Sequence, residues 1–238
     1  MLFFYIRHGD PIYNPDSLTP LGKRQAEAVG RRLARYGIDK IYASTSQRAI
    51  DTSAPTCEML KKEATLLDFC NESHAWREFT IKREDGSCFW MFGDKEYGKL
   101  LTTPEVRALG DKWYEHEKFS QYDFKKGLDR VYDESDKFFA SLGYEHERYT
   151  GVYKCTAPTD ERVALFAHQG FGMIFLSCLL DIPYPQFSMH FDFCHSSMTV
   201  IDFSDKGGYA IPRVLTLSSD SHIYADGLPT KYNNAVYF

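Results

Sequence analysis

The stretch Leu2-Phe3-Phe4-Tyr5-Ile6-Arg7-His8-Gly9-Asp10-Pro11 decides how the rest of the chain is read. Five apolar or aromatic residues in a row, ended by a glycine and a proline, have the pattern of a buried strand. Gly9 and Pro11 stop that strand, which leaves Arg7 and His8 at its end. In open α/β sheets, ligands gather at the carboxyl ends of strands. Arg7 and His8 are therefore the first residues to test for chemistry.

Working outward, Thr19-Pro20-Leu21-Gly22 reads as a helix start, with Thr19 as N-cap and Pro20 at the first helical position. Leu21, Ala28, Val29 and Leu33 share an apolar face against Lys23, Arg24, Glu27 and Arg31 outside. Gly37 ends the helix. Residues 38–43 are a second short strand running into Ser44-Thr45-Ser46, and a second helix starts near Gln47 with Arg48 in its first turn. Residues 66–69 are a weaker strand candidate leading toward Trp76-Arg77-Glu78. The clearest strand of the second half, 163–167, ends at His168-Gln169-Gly170. An apolar helix over roughly 171–180 follows, closed by Pro183, with late strands at 198–203 and 214–218. Strands alternating with helices predict an α/β fold: a three-layer α/β/α sandwich on a mostly parallel sheet. The middle, about 79–150, is charge-rich and helical, with no convincing strand. Leu128, Val131, Ser135, Phe138 and Leu142 form an apolar stripe there. It reads as a helical insertion over the active-site edge of one domain covering 1–238.

Composition narrows the partners. With 238 residues, 43% of them apolar, the chain can bury one substantial core. A net charge of −5 with no long basic block argues against nucleic acid or an anionic membrane as a general partner. Cys57, Cys70, Cys88, Cys155, Cys178 and Cys194 form no CxxC pair and have no repeating spacing, so free thiols in a reducing cytoplasm are expected. The N-terminus is apolar before its first positive charge, the reverse of a signal peptide. The longest apolar run, about 171–180, is too short to span a bilayer. No pattern specifies an oligomeric state.

Two histidines, His8 and His168, each follow a strand and have a glycine close behind. Arg7 precedes one, and Arg48 opens a helix after another strand. Such a set suits phosphoryl transfer. Arginine's planar fork pairs bidentately with phosphate oxygens, and a helix N-terminus near Arg48 adds positive partial charge. A neutral imidazole can attack phosphorus, and nearby cations favour that neutral form of His8. The second histidine can donate to the equatorial oxygens, and a protonated carboxylic acid can supply the leaving group's proton. The scheme requires no metal and no cofactor.

These motifs resemble the histidine phosphatase superfamily, which includes the phosphoglycerate mutases. Arg7-His8-Gly9 with Asn14 is similar to its R-H-G-x-x-x-x-N pattern. Leu18-Thr19-Pro20-Leu21-Gly22 with Gln25-Ala26 resembles its L-T-x-x-G-x-x-Q-A helix start. Ser44 to Ala49 with Thr52 resembles S-x-x-x-R-A-x-x-T, and His168-Gln169-Gly170 its second H-x-G. The ordered matches cover about 1–55 and 162–175. The resemblance implies a phosphohistidine on His8, a phosphate pocket of Arg7, Arg48 and His168 with Asn14 at the substrate, and an acid after the third strand. Glu78 fits that place best, with Glu72 and Glu84 as alternatives. Asp10-Pro11 and Thr45 depart from the family pattern without removing a chemical group.

The set implies a metal-independent phosphatase for a small phosphorylated substrate. A mutase would use the same residues but keep water out, and no lengthy segment reads as mutase-type substrate capture. A catalytically silent phosphate-binding module is the reading from another class; the intact His8, Arg7, Arg48 and His168 argue against it. His190-Phe191-Asp192-Phe193-Cys194-His195 holds zinc-competent types, with alternation on a strand putting His190, Asp192 and Cys194 on one face. Its spacing matches no strong zinc pattern, so it reads as structural. Phe89-Trp90-Met91-Phe92 reads as insertion core that could instead line a substrate entrance, and Lys82, Arg83, Lys95 and Lys99 as a solvated face.

Overall fold

Phe3 and Tyr5 point to one side of a strand and Phe4 and Ile6 to the other, and that alternation builds two hydrophobic layers around one sheet. The computed structural model describes residues 1–232. Its main sheet contains β1 (Leu2–Arg7), β2 (Lys40–Ser44), β3 (Ala64–Leu67), β4 (Arg162–Ala167), β5 (Met198–Asp202) and β6 (Arg213–Ser219), in the spatial order β6-β5-β1-β4-β2-β3. The run β1-β4-β2-β3 is parallel throughout. Only β5 runs against its neighbours β1 and β6. The two central strands are apolar on both faces, as strands covered on both sides must be.

On the Phe4 and Ile6 side lie α1 (Pro20–Tyr36) and α2 (Gln47–Leu60). Val29 and Leu33 of α1 join Ile41, Ala164, Phe166 and Val200 in that layer. Thr19 caps α1 by accepting the Gly22 N–H at 3.0 Å, and Gly37 closes it in the left-handed region at φ 72°. On the opposite face lie α3 (Glu72–Phe79), α4 (Phe124–Ser141) and α5 (Gln169–Leu180). Phe3 meets Phe139 of α4 edge-to-face at 5.3 Å, and Tyr5 stacks on Phe175 of α5 at 5.7 Å. Phe3 is fully buried, so truncating it to alanine should cost about 3–5 kcal/mol. The expected three-layer α/β/α sandwich is what forms.

The middle of the chain is richer in strands than its sequence predicts. Thr80–Lys82 pairs antiparallel with Cys88–Trp90, and Tyr144–Glu147 pairs with Val152–Cys155, which in turn pairs with Tyr209–Ala210. Strands of two to four residues carrying Lys82, Glu145 and Glu147 are too short and too polar to show an apolar alternation. The stripe Leu128, Val131, Ser135 and Phe138 is buried along α4, with Leu142 just beyond its end. That helix packs on the sheet beside α5, and the Thr80–Lys82 hairpin is the part of this region that approaches the cavity described below. Among the described residues no helix is long and apolar enough to cross a membrane.

Candidate active site

Parallel pairing of β1 with β4 aligns Arg7 with Ala167, so the residues that follow, His8 and His168, emerge side by side at the carboxyl edge of the sheet. Their rings lie 5.2 Å apart. Two glycines permit the turn after His8. A Cβ on Gly9 would fall 2.6 Å from the Gly22 carbonyl oxygen, and one on Gly22 would fall 2.2 Å from that of Asp10. The loop thus lies directly on the start of α1. The Gly9 N–H donates to Thr52 Oγ1 at 3.0 Å and the Asp10 N–H to Gln25 Oε1 at 2.8 Å. These contacts explain the glutamine and threonine of the α1 and α2 motifs.

His8 is 1% exposed, and its Nδ1 stands 2.7 Å from the Gly9 carbonyl oxygen. A carbonyl only accepts, so Nδ1 carries the proton and Nε2 keeps its lone pair. Burial pushes the imidazole well below the ordinary histidine range, and His168, Arg7 and Arg48 push the same way against the Gly9 hydrogen bond. His168 is equally buried and depressed, first by burial and then by Arg48 and Arg7. Its Nε2 lies 2.8 Å from Ser44 Oγ at the end of β2. With Ser44 donating to Nε2, the His168 proton sits on Nδ1, which has no hydrogen-bond partner among the described residues and lies 3.5 Å from Glu72 Oε2.

Arg7 is buried, and its guanidinium donates to the Phe193 carbonyl. Burial lowers its pKa while Asp192 and Glu72 oppose that shift; a guanidinium stays charged regardless. Arg48, in the first turn of α2, donates from Nη1 to Asp16 Oδ1 at 2.8 Å and from Nη2 to Glu72 Oε2 at 3.2 Å. Asp16 also accepts the Gln47 N–H at 2.9 Å, so it covers the N-terminus of α2.

The three candidate carboxylates lie in different surroundings. Glu78 is clamped by Arg130, whose Nε and Nη2 reach its two oxygens at 2.6–3.1 Å. Glu84 is exposed in a hairpin turn. Glu72 is the carboxylate brought to the site: Oε1 accepts the Gly170 N–H at 2.8 Å at the start of α5, and His8, Glu72 and His168 place donor atoms within 4.8 Å of one another. The sequence carried a signal for this. Asn71 caps α3 by accepting the Ser73 N–H, which puts Glu72 in the first turn of a helix. Asn14 is absent from the cavity lining. It sits exposed at the tip of the hairpin Pro11–Tyr13/Asp16–Leu18, and Tyr13 and Asp16 are the hairpin residues that line the cavity.

A cavity of about 790 Å³ opens over Arg48 and Glu72, with Tyr13, Trp76, Trp90 and Gln169 among its walls. Its size suits a small organic ligand. His8, Arg7 and His168, at the strand ends, are buried and are not among its lining residues. The segment from His190 to His195 is irregular rather than a strand. His190 is exposed, Cys194 is buried, and His195 stacks on His8 at 5.9 Å with its Nδ1 3.3 Å from Asp10. Among the described residues the three-donor set of metal-ligand types is His8, Glu72 and His168, beside the strand ends, and it includes no residue of that segment.

The α/β/α sandwich thus gathers two histidines and two arginines at the carboxyl edge of its sheet, an arrangement with the charge and hydrogen-bond donors to hold an anionic group. Residues 3–83 match the profile of the Histidine phosphatase superfamily (branch 1), so the resemblance read from the motifs holds. Over nearly the whole chain the fold resembles a phosphoserine phosphatase from Entamoeba histolytica (18% identity, 93% of this chain and 98% of that one, TM-score 0.59). It also resembles a mycobacterial glucosyl-3-phosphoglycerate phosphatase (18%, 92% and 98%, TM-score 0.58) and the alpha-ribazole phosphatase of Shigella flexneri (17%, 92% and 96%, TM-score 0.56). At these identities the likeness is one of fold. No curated protein matches the chain in sequence.

Proposed function

We propose that this protein is a metal-independent phosphomonoesterase acting on small molecules through a phosphohistidine on His8. The observation that carries the reading is the 2.7 Å contact of His8 Nδ1 with the Gly9 carbonyl, which leaves Nε2 bare as the nucleophile. Nε2 attacks phosphorus as the ester P–O bond breaks, and the leaving oxygen takes a proton from Glu72. Arg48 and Arg7 hold the phosphoryl oxygens, and His168 donates to them from Nδ1. Water then attacks the phosphohistidine and gives its proton to Glu72; phosphate leaves, and His8 returns to its neutral form. Glu72 thus takes the role that the motif resemblance assigns to Glu78.

The same groups serve a mutase if a second organic acid excludes water, and a silent module if turnover is absent. Six free thiols, three of them buried, fit a cytoplasmic setting. The test compares wild type with His8→Ala on a panel of phosphate monoesters. Wild type should release phosphate, keep doing so in chelator, and trap an acid-labile, base-stable phosphoryl group. His8→Ala should do none of these. Unchanged turnover in the variant overturns the nucleophile, and activity abolished by chelator moves the chemistry to a metal held by His8, Glu72 and His168.

A further inference from the structure

Resting on that reading, we infer that the preferred substrates are monoesters of alcohols that carry a planar aromatic or heteroaromatic group, seated against Trp90 and Trp76. Direction comes from the proton donor. The leaving oxygen must lie at Glu72, because that carboxylate is the acid brought to His8. Glu72 Oε1 is held by the Gly170 N–H. The Trp90 ring lies on that same glycine, so closely that a Cβ there would fall 2.4 Å from the ring carbons. Whatever is attached to the leaving oxygen therefore extends along Trp90.

The wall is aromatic and braced. Trp76, on the next turn of α3 from Glu72, meets Trp90 edge-to-face at 5.1 Å and 88°, and Phe92 stacks behind Trp90 at 5.7 Å. Tyr13 stands at the Arg48 side of the cavity, 61% exposed, with the Arg48 guanidinium 5.4 Å from its ring centre. A ring arriving here gains offset or edge contacts with indoles that are already positioned. Charge excludes the other common class. Among the described lining residues Arg48 is the single Lys or Arg, and it already faces Asp16 and Glu72. A second phosphate or a carboxylate on the substrate would meet two carboxylates and no further cation.

The experiment compares pairs that share a leaving alcohol type and differ in the ring: benzyl against cyclohexylmethyl phosphate, and adenosine 5′-monophosphate against ribose 5-phosphate. In each pair kcat/KM should favour the aromatic member by about tenfold, the size of one or two aromatic pairs. Trp76→Ala should bring the ratio toward one through KM, and Trp76→Phe should restore most of it. A wild-type ratio of one or less, or a ratio unmoved by Trp76→Ala, overturns the inference. Quenching of tryptophan fluorescence by benzylphosphonate against cyclohexylmethylphosphonate reads the same preference without turnover. Selective quenching with no phosphate release from any ester would retain the aromatic subsite and overturn the phosphatase reading instead.

Discussion

Glu72 Oε1 accepts the backbone N–H of Gly170 at 2.8 Å, which ties the carboxylate on α3 to the helix that begins beside His168. Glu72→Gln removes the carboxyl group but keeps an acceptor oxygen. Hydrolysis of alkyl phosphates should fall about a hundredfold or more, while p-nitrophenyl phosphate, whose leaving group needs no proton, should lose far less. Glu78→Gln should leave the ratio of the two rates alone and lower stability by roughly 1–3 kcal/mol, because Arg130 loses a charged partner. Steady-state kinetics on both esters, with thermal melts, separates the two glutamates. Equal losses on both esters in Glu72→Gln would remove it as the acid.

His8 should be neutral across the physiological range. Its pKa is depressed by burial and by His168, Arg7 and Arg48, so protonation lies on the acid side of the ordinary 6.5. An NMR titration, with the His8 signal identified by its loss in His8→Ala, should show no inflection at or above pH 6.5. Such an inflection would contradict the burial argument and the nucleophile's ground state together.

Gly170→Ala tests whether Trp90 and Glu72 share one support. The added Cβ would lie 2.4 Å from the Trp90 ring, so the ring must shift at a cost of about 1–3 kcal/mol. Activity should fall because the same backbone segment orients Glu72. Trp90→Ala placed in the Gly170→Ala background should recover stability. A double variant no more stable than Gly170→Ala would show that the clash is not the cause.

His146 offers a pH test remote from the site. It is buried and donates from Nδ1 to Asp136 at 2.9 Å and from Nε2 to Asp181 at 3.1 Å. Burial opposes its charge, yet the two carboxylates win and raise its pKa above 6.5. A raised folded pKa gives stability that is full below the unfolded value and lost as pH rises through the folded one. The stability advantage of wild type over His146→Gln should therefore shrink as pH rises from about 6 to 9. Each tenfold gain in proton affinity on folding makes that loss larger by about 1.4 kcal/mol. Denaturant melts that show a constant or growing advantage would refute the charge assignment.

Most of the frame was legible because its signals are local. Thr19-Pro20 marks a helix start wherever it stands, and an apolar run ended by glycine marks a strand. The α3 segment was harder to place: its cap is a single Asn71, and the strand before it is four residues long and half exposed. The short strands within 80–90 and 144–147 were hidden for the same reason. Burial alternates too briefly in them to register as a period.

By itself the sequence determined the motifs, their order and the α/β class, and with them His8, Arg7, Arg48 and His168 as one set. Each of those residues ends, directly follows or lies in the first turn of an element whose ends are written in adjacent residues. Only the tertiary structure decided which carboxylate faces the set. Glu72 and Glu78 share one helix, and six residues turn the side chain by roughly 240°, so one meets His168 while the other meets Arg130. The same holds for Asp16 on Arg48 and for Trp90 on Gly170. Those contacts join segments far apart in the chain, and their geometry exists only once the sheet and its helices have packed.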